Sequence, residues 1–395
     1  MDTALQCPGF HAAGMAAGIK KKHALDLGLI YSLVPATVAG MFTRNRVTAA
    51  PVTLTKARVA AGAGQAIVVN AGNANCCTGG QGDADAAAMA AAAADGLRLD
   101  DEAVMVASTG VIGAPLPIEK VRDAMPALVR ELGPDGFNNF AQAIMTTDKV
   151  PKLMVRQGML DGRPFTVLAT AKGAGMIRPD MATMLCFVCT DAAVPADGLQ
   201  TMLRPAVERS LNRITIDGDT STNDTVLIMA NGVSGVEVRT VEQQAVFQAV
   251  LNELLMDMAR LLVKDGEGVN KVVAIRVQGA PSAEDAMRIA DTVAHSPLVK
   301  TAFFGEDANW GRIVAAAGRA GVDFDPRRVA IFFDGVQMVK DGAGCGQAAE
   351  DQVTAVMQQP EFTVTIDLQQ GAGQAAMLTC DLSIDYIKIN ADYRS

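Results

Sequence analysis

The chain has 395 residues, half of them apolar, and a formal net charge of −9. This length suggests two domains, and few aromatic residues beside abundant Ala, Val, Met and Gly favour a closely packed α/β protein. The acidic balance, with no basic block beyond residues 20–22, argues against a nucleic acid partner. The longest apolar run, at residues 86–94, is too short to span a membrane, and no signal-peptide pattern opens the sequence.

The seven cysteines are odd in number and irregularly spaced. They indicate a reducing compartment, so we expect a cytoplasmic protein without a disulfide framework. Cys186 and Cys189 have metal-ligand spacing, but no second Cys or His pair follows, which favours core packing. The polar run at residues 212–224 offers oxygen ligands for a cation, yet it lacks the spacing of a calcium loop. We therefore predict no metal site.

The first third of the chain alternates short apolar runs with turns. Strands are predicted at residues 27–32, 37–42, 66–70 and 104–108. The alanine-rich stretch at 83–94 predicts a helix that starts near Asp83 and is buried all round. The Asn- and Gly-rich loop before it, at 70–82, is typical either of a ligand-facing site or of a simple connection. Further helices are predicted at residues 117–130 and 137–146.

A strand-to-turn junction follows the strand at 104–108. Its residues are Thr109 and Gly110. Backbone amides at such a junction can face a carbonyl oxygen and serve as an oxyanion hole.

The stretch KGAGMIRPDMATML, residues 172–185, is a glycine-broken loop between two predicted strands, at 165–170 and 184–190. Thr183 stands where this loop meets a rigid strand, which is a suitable position for a nucleophile. The Gly-x-Gly pattern also occurs in dinucleotide-binding loops, but a strand is predicted next and not the required helix. An ordinary strand-to-strand connection remains open.

The second half predicts helices at 199–211 and 241–264, a strand at 271–277, a helix capped by Ser282, and a strand at 384–390. Glu267 lies in a glycine loop directly after a helix, where a carboxylate is electrostatically unfavourable, and this hints at a function. A domain boundary is predicted near residue 280, dividing the chain into residues 1–280 and 281–395.

The three histidines, His11, His23 and His295, have no acidic or serine partner nearby in sequence. A Ser-His-Asp triad or a zinc site is therefore poorly supported. An acyl-transfer enzyme of this sequence needs another base. A threonine made N-terminal by cleavage supplies one, because its α-amine has a pKa of about 8.

Several long blocks, in order along nearly the whole chain, resemble the ornithine acetyltransferases (glutamate N-acetyltransferases, the ArgJ family). The run KGAGMIRPDMATML is similar to the autocleavage signature of that family. The other blocks are VPATVAGMFTRNRVTAAPV, IVVNAGNANCCTG, STGVIG, AIMTTD, NRITIDGDTSTNDT, KDGEG, SPLVKTAFFGEDANWGRI and INADYRS.

The resemblance implies scission between Ala182 and Thr183 into chains 1–182 and 183–395 that stay associated, with two copies of each. Thr183 then takes acetyl from N2-acetyl-L-ornithine, forming an acetyl-Thr intermediate, and passes it to L-glutamate in arginine biosynthesis. No cofactor is implied, and acetyl-CoA as a second acetyl donor is left open. The implied fold is a layered αββα sandwich with a smaller C-terminal α/β domain.

The resemblance also assigns roles by position. It makes Thr109 and Gly110 the oxyanion hole, Lys172 a partner of a substrate carboxylate, and Glu267 a partner of a substrate ammonium group. The substrate-contacting positions implied are Thr147, Lys172, Thr183, Glu267, Asn390 and Ser395.

Three positions depart from the usual family pattern. Ala174 replaces a serine and Asp180 an asparagine within the signature, and Ser395 replaces a terminal threonine. Two alternatives remain open on the sequence: a self-cleaving aminopeptidase or amidase of the same fold, and an uncleaved, non-catalytic binding protein.

Overall fold

The computed structural model describes residues 5–21, 24–178 and 184–392. The chain forms two compact units: Met1–Asn212 with Asp219–Leu262, and Arg213–Gly218 with Val263–Ser395. The boundary predicted near residue 280 lies inside the second unit, directly after its first strand. A short segment that belongs to the other unit, such as Arg213–Gly218, leaves no compositional mark in the sequence.

The first unit alternates strands and helices. Its elements, in chain order, are β1 Phe10–Met15, β2 Leu27–Phe42, α1 Ala50–Val59, β3 Ala63–Asn73, α2 Gly79–Leu97, β4 Val104–Val111, α3 Ile118–Arg130, α4 Phe137–Ala143, β5 Lys152–Leu160, β6 Arg163–Lys172, β7 Leu185–Thr190, α5 Ala196–Arg209, β8 Thr225–Ala230 and α6 Val241–Lys264, the last of which runs to the unit's end and beyond.

One continuous set of paired strands makes two layers, because β2 turns a corner. The described strands follow the order β4-β3-β2-β8-β7-β6-β5, with β1 also on β2. The first half of β2 pairs with β1 and β3, and its second half pairs with β8. Between the halves, Leu33–Pro35 are exposed and the register with β3 shifts. The two strands predicted at 27–32 and 37–42 are therefore one bent strand.

The layers face each other across a shared apolar core. Alternate residues of each strand enter this core, including Val69 from the first layer and Phe187 and Leu227 from the second. The opposite face of the first layer packs on α2 and α3. The opposite face of the second layer packs on α6, where Phe165 stacks on Phe247 with ring centroids 5.6 Å apart. Together these layers confirm the predicted αββα sandwich.

Helix α2 differs from its prediction in start and burial. It begins at Gly79, four residues before Asp83, and Asp83, Ala84 and Ala87 are exposed. An alanine face can be left in water because it has little apolar surface to lose, while its helix propensity is unaffected. The prediction of a helix buried all round is therefore wrong.

The second unit has its own sheet and core. After the end of α6 its elements are β9 Val272–Ala280, α7 Ala283–Ala294, α8 Pro297–Phe304, α9 Trp310–Gly318, β10 Ala330–Phe333, β11 Val336–Lys340, β12 Ala343–Gly344, α10 Gln347–Met357, β13 Glu361–Asp367, β14 Gly373–Cys380 and α11 Ile384–Ala391. The described strands pair in the order β12-β11-β10-β13-β9-β14. Helices α7, α9 and α10 contribute to the apolar core against this sheet. This smaller α/β unit agrees with the prediction.

The strand predicted at residues 384–390 is wrong, because the segment is helix α11. The alternation of Ile with polar residues favoured a strand, yet Ser383 precedes it and its side chain accepts a hydrogen bond from the Tyr386 amide. That cap begins a helix and leaves Ile384 and Ile387 exposed.

Buried sulfur atoms in this fold have a packing role. Cys186 and Cys189 are fully buried in β7, and burial raises the pKa of the Cys186 thiol to about 12. All seven cysteines are unpaired. Within the described ranges, no group of His, Cys, Asp and Glu is arranged to hold a metal ion. None of the described helices has the length and apolar character needed to cross a bilayer.

Candidate active site

Several strand ends meet at one end of the sandwich. Lys172, the last residue of β6, pairs with Leu185 at the start of β7, and Leu185 pairs with Thr225 at the start of β8. The side chain of Asn223 spans the two layers: its Nδ2 donates to the carbonyl oxygens of Ala74, at 2.7 Å, and Ser108, at 2.9 Å. The start of β8 is thereby tied to the ends of β3 and β4.

Thr109 and Gly110 lie at this end, within β4 and half-buried. Gly110 has a φ of +135°, and a Cβ atom there would lie 2.3 Å from the carbonyl carbon of Gly72 in β3. Only glycine permits this close approach of two backbones. The chain thus has an irregular pair of strand ends where the oxyanion hole is predicted.

Buried asparagines hold this junction in place. Ser108 Oγ donates to Asn70 Oδ1 at 2.6 Å, and Asn70 Nδ2 donates to the Asn73 carbonyl at 2.9 Å. Asn73 Nδ2 donates to two carbonyl oxygens of the loop after β4, and its Oδ1 accepts from the Asn75 amide at 2.7 Å. The asparagine-rich loop is thus more than a simple connection, because the side chains of Asn70 and Asn73 fix the backbone around Thr109.

A second cluster of the first unit is centred on the fully buried carboxylate of Asp148. Its Oδ1 lies 2.7 Å from Lys152 Nζ and 2.7 Å from the amide nitrogen of Gly173. Its Oδ2 accepts from the Thr146 amide at 3.0 Å and lies 3.9 Å from Lys172 Nζ. The carboxylate therefore ties the loop that contains Thr147 to the end of β6.

The charges in this cluster are balanced in favour of the ionised carboxylate. Burial alone would raise the pKa of Asp148, but the ammonium groups of Lys172 and Lys152 and the hydrogen bonds hold it well below its usual range. Asp148 is consequently ionised at every physiological pH. It supplies a fixed negative charge that orients Lys172.

Two predicted site residues are brought together here, with one correction. Thr147 is half-buried and directly precedes Asp148, whose carboxylate lies 3.9 Å from Lys172 Nζ. Lys172 belongs to β6 and is 7% exposed, whereas the sequence suggested a lysine in a glycine loop. A strand position holds the ammonium more firmly than a loop would.

Asp224 is a buried carboxyl group beside the start of β7. It lies next to the backbone of Met184, the residue that follows Thr183 in sequence. The Thr225 amide donates to the Met184 carbonyl at 3.0 Å. Burial raises the pKa of Asp224 well above its usual range, although hydrogen bonds from the Met184 backbone and the Ser221 side chain act in the opposite direction. The polar run that offered cation ligands instead supplies Asn223 and Asp224 as supports of strand ends.

Lys20 is a half-buried cation that the sequence analysis did not single out. Its Nζ donates to the carbonyl oxygens of Leu25, at 2.6 Å, and Ala143, at 3.2 Å. Burial lowers the pKa of Lys20 to about 8; Asp26 opposes this shift and the charge of Lys172 adds to it. The electrostatic influence of Lys172 places Lys20 in the same region of the first unit.

Some predicted residues lie outside the described residues. These are Ala182 and Thr183 of the predicted cleavage site, Asp180, and Ser395. Ala174 is described and fully buried.

In the second unit, Glu267 and Asn390 are in direct contact although 123 residues separate them. Asn390 Nδ2 donates to Glu267 Oε2 at 2.7 Å. Glu267, in the loop after α6, is 5% exposed. Ser383 Oγ donates to the Gly268 carbonyl at 2.6 Å, which fixes α11 against this loop. The two substrate-contacting positions predicted for this unit therefore form one polar cluster.

The statement that no histidine has an acidic partner is wrong for His295. Its Nδ1 lies 3.2 Å from Asp291 Oδ1 and 2.7 Å from the Asp291 carbonyl oxygen. The two residues are four apart on α7 and its C-cap, a spacing that places side chains on one face. The pair is a contact at the end of a helix, and no serine, threonine or cysteine side chain among the described residues is hydrogen-bonded to His295.

Comparison with known proteins identifies the family. A model of the ArgJ family matches residues 11–395. The chain is 51% identical over 389 residues to the arginine biosynthesis bifunctional protein ArgJ of Geobacter sulfurreducens, covering 98% of this chain and 99% of that protein. It is 50% identical over 393 residues to the protein of that description from Desulfotalea psychrophila, covering 99% of this chain and 100% of that one.

A crystal structure of the arginine biosynthesis bifunctional protein ArgJ from Bacillus halodurans is also similar. It matches with a TM-score of 0.50 and 36% identity, over 52% of this chain and 97% of that chain. These matches bear out the resemblance that the sequence blocks predicted. The chain therefore belongs to the ArgJ family and is an acetyltransferase of that family.

Proposed function

We propose that the chain cleaves itself between Ala182 and Thr183, and that Thr183 then moves an acetyl group from N2-acetyl-L-ornithine to L-glutamate. The observation that carries this proposal is the family match over residues 11–395, which includes the signature around Thr183. The chains 1–182 and 183–395 stay together, two of each, and act in the cytoplasm. The reaction needs no cofactor or metal.

The chemistry follows from a threonine with a free α-amine. That amine has an ordinary pKa of about 8, so near neutral pH a useful fraction is unprotonated and can take the proton of its own hydroxyl. The hydroxyl oxygen attacks the acetyl carbonyl, and amides at Thr109 and Gly110 receive the developing negative charge. The amide C–N bond breaks and ornithine leaves with the proton. The glutamate amine then attacks the acetyl ester, the ester C–O bond breaks, and the Thr183 oxygen regains a proton from that amine.

The buried charges support recognition of amino acids. Lys172, oriented by Asp148, is a cation suited to a substrate carboxylate. Glu267, held by Asn390, is an anion suited to a substrate ammonium group. Thr147 and Ser395 complete the proposed substrate contacts, and acetyl-CoA is proposed as a second donor, in keeping with the word bifunctional in the names of the relatives.

The first test is a denaturing gel with N-terminal sequencing. We expect two chains of similar size, the second beginning Thr-Met-Leu-Cys-Phe. Thr183→Ala should remain a single band and be inactive, because no hydroxyl is left to attack the Ala182 carbonyl. Efficient cleavage of that variant would show that the cut is not autocatalytic.

The second test separates covalent transfer from direct transfer. Enzyme incubated with N-acetylornithine alone should carry one acetyl group on the peptide that begins at Thr183. Initial-rate plots at several glutamate concentrations should be parallel. Intersecting lines with an unmodified Thr183 peptide would exclude the acetyl-Thr183 intermediate.

A further inference from the structure

A cationic cavity opens where β2 ends in the first unit. It has a volume of about 370 Å³ and is lined by the residues from Gly40 to Asn45, by Thr48 and Lys56 near and on α1, and by Gln200 and Arg204 on α5. Arg44, Lys56 and Arg204 bring three positive charges to it, and no carboxylate lines it. In a chain of net charge −9, such a wall is selective for an anion.

Two of the three cations in this cavity are available to a ligand. Across the described ranges, Lys56 and Arg204 take part in no ion pair or hydrogen bond from their side chains. Gln200 Oε1 accepts from the Gly40 amide at 3.2 Å, and this bond leaves the two Nε2 hydrogens of Gln200 unused. Arginine and lysine donors around a cavity of this size suit phosphate groups, which accept several charge-assisted hydrogen bonds at once.

The cavity is close to the strand that follows Thr183. Phe42, in its wall, pairs with Thr225, and Thr225 pairs with Leu185 at the start of β7. Two inter-strand spacings, about 10 Å, therefore separate the end of β2 from the start of β7. Thr43, also in the wall, donates its amide to the Asp224 carbonyl at 3.0 Å. An elongated ligand can thus be anchored here and extend to the start of β7, which Thr183 precedes in the sequence.

We propose that this cavity binds the phosphate groups of a coenzyme A thioester, so that the flexible arm delivers the acetyl group to Thr183. The inference rests on the proposed function, in which Thr183 is the acetyl acceptor. In this half-reaction the Thr183 oxygen bonds to the acetyl carbon, the thioester C–S bond breaks, and the thiol leaves with the proton of the hydroxyl. Glutamate then takes the acetyl group from Thr183 as in the ornithine-dependent reaction.

The test compares the double variant Lys56→Ala/Arg204→Ala with Arg209→Ala in the full-length enzyme. Arg209 is an exposed cation on the same helix as Arg204, but it does not line the cavity. Three acetyl donors are assayed with glutamate: acetyl-CoA, acetyl-pantetheine, which lacks the phosphate groups, and N-acetylornithine. The double variant should raise the KM for acetyl-CoA by about tenfold or more. Its kinetics with acetyl-pantetheine and N-acetylornithine should match the wild type, and Arg209→Ala should change none of the three.

Other results would overturn the proposal. An unchanged KM for acetyl-CoA in the double variant would remove the cavity from donor binding, and equal losses with acetyl-pantetheine would mean that no phosphate is recognised. Wild-type activity with N-acetylornithine but none with acetyl-CoA would refute the thioester site while leaving the proposed transfer intact. Inactivity of the wild type with every donor would instead refute the proposed function.

Inorganic phosphate as a competitor provides a direct check, since it should raise the KM for acetyl-CoA in the wild type and not in the double variant.

Discussion

Replacing Asp148 by asparagine tests whether its buried carboxylate organises the first unit's site. The Asp148 side chain is 0% exposed and that of Lys152 is 1% exposed, with 2.7 Å between the charged atoms. Removing one partner of a buried pair leaves the other charge in a poorly solvated position, which costs about 3–5 kcal/mol. We expect Asp148→Asn to lower the free energy of unfolding by that amount, measured by urea titration of the purified enzyme.

The matched control is Asp257→Asn, which breaks the pair with Arg156. The side chains of Arg156 and Asp257 are 37% and 43% exposed, so this pair should contribute about 0–1 kcal/mol. A second variant, Asp148→Asn with Lys152→Met, removes the closer ion pair but leaves the charge of Lys172, so it should recover part of the loss. If Asp148→Asn cost no more than Asp257→Asn, the reasoning from burial would be refuted.

Three further predictions concern pH, the oxyanion hole and the start of β7. The pKa of Asp148 in the folded protein lies below its unfolded value of about 3.9, so the unfolded chain binds more protons in acid. The stabilisation from Asp148 is therefore complete above about pH 5 and is lost as the pH falls. Urea titrations from about pH 6 to 3 should show a steeper loss of stability in the wild type than in Asp148→Asn. Gly110→Ala should reduce kcat at least 100-fold, since its Cβ would meet Gly72, whereas Gly113→Ala, also at positive φ but in open space, should not. Asp224→Asn resembles the protonated acid, so it should keep the fold and change the activity by less than about tenfold. Asp224→Leu should impair cleavage, seen as uncleaved chain on a denaturing gel. Equal behaviour of the two variants would contradict a polar role for Asp224.

The central strands could be predicted because their sequences carry the signal locally. Buried β-branched runs before and after the glycine loop predicted β6 and β7, and the periodicity of Val, Leu and Met gave α6 its observed bounds. The helix α11 was missed because Ile-x-x-Ile-x-Ile fits both periods in so short a segment. Its capping serine decides the outcome, and that signal was available at Ser383.

Contacts between distant residues could not be predicted from local pattern. Asn390 came into consideration only through the family resemblance, and the glycine loop around Glu267 hinted at a function without indicating Asn390 as a partner. Asp148 and Asp224 were overlooked for a physical reason: a carboxyl group is normally exposed, and only the fold shows that these two are buried among donors. Burial of polar groups is a property of the assembled layers, so hydrophobic periodicity does not report it.

The proposed scission site is placed where a break in the chain costs the fold little. β7 is held on both sides, by β6 at Lys172–Leu185 and by β8 at Leu185–Thr225, and its preceding residue Met184 is bound through its carbonyl to the Thr225 amide. None of these bonds depends on a covalent link to the residues before Thr183. A chain beginning at Thr183 would therefore keep β7 in register between β6 and β8, at the end of the sandwich where Lys172 and Gly110 lie. The proposed self-cleavage can then create a catalytic base without loosening the strand that follows it.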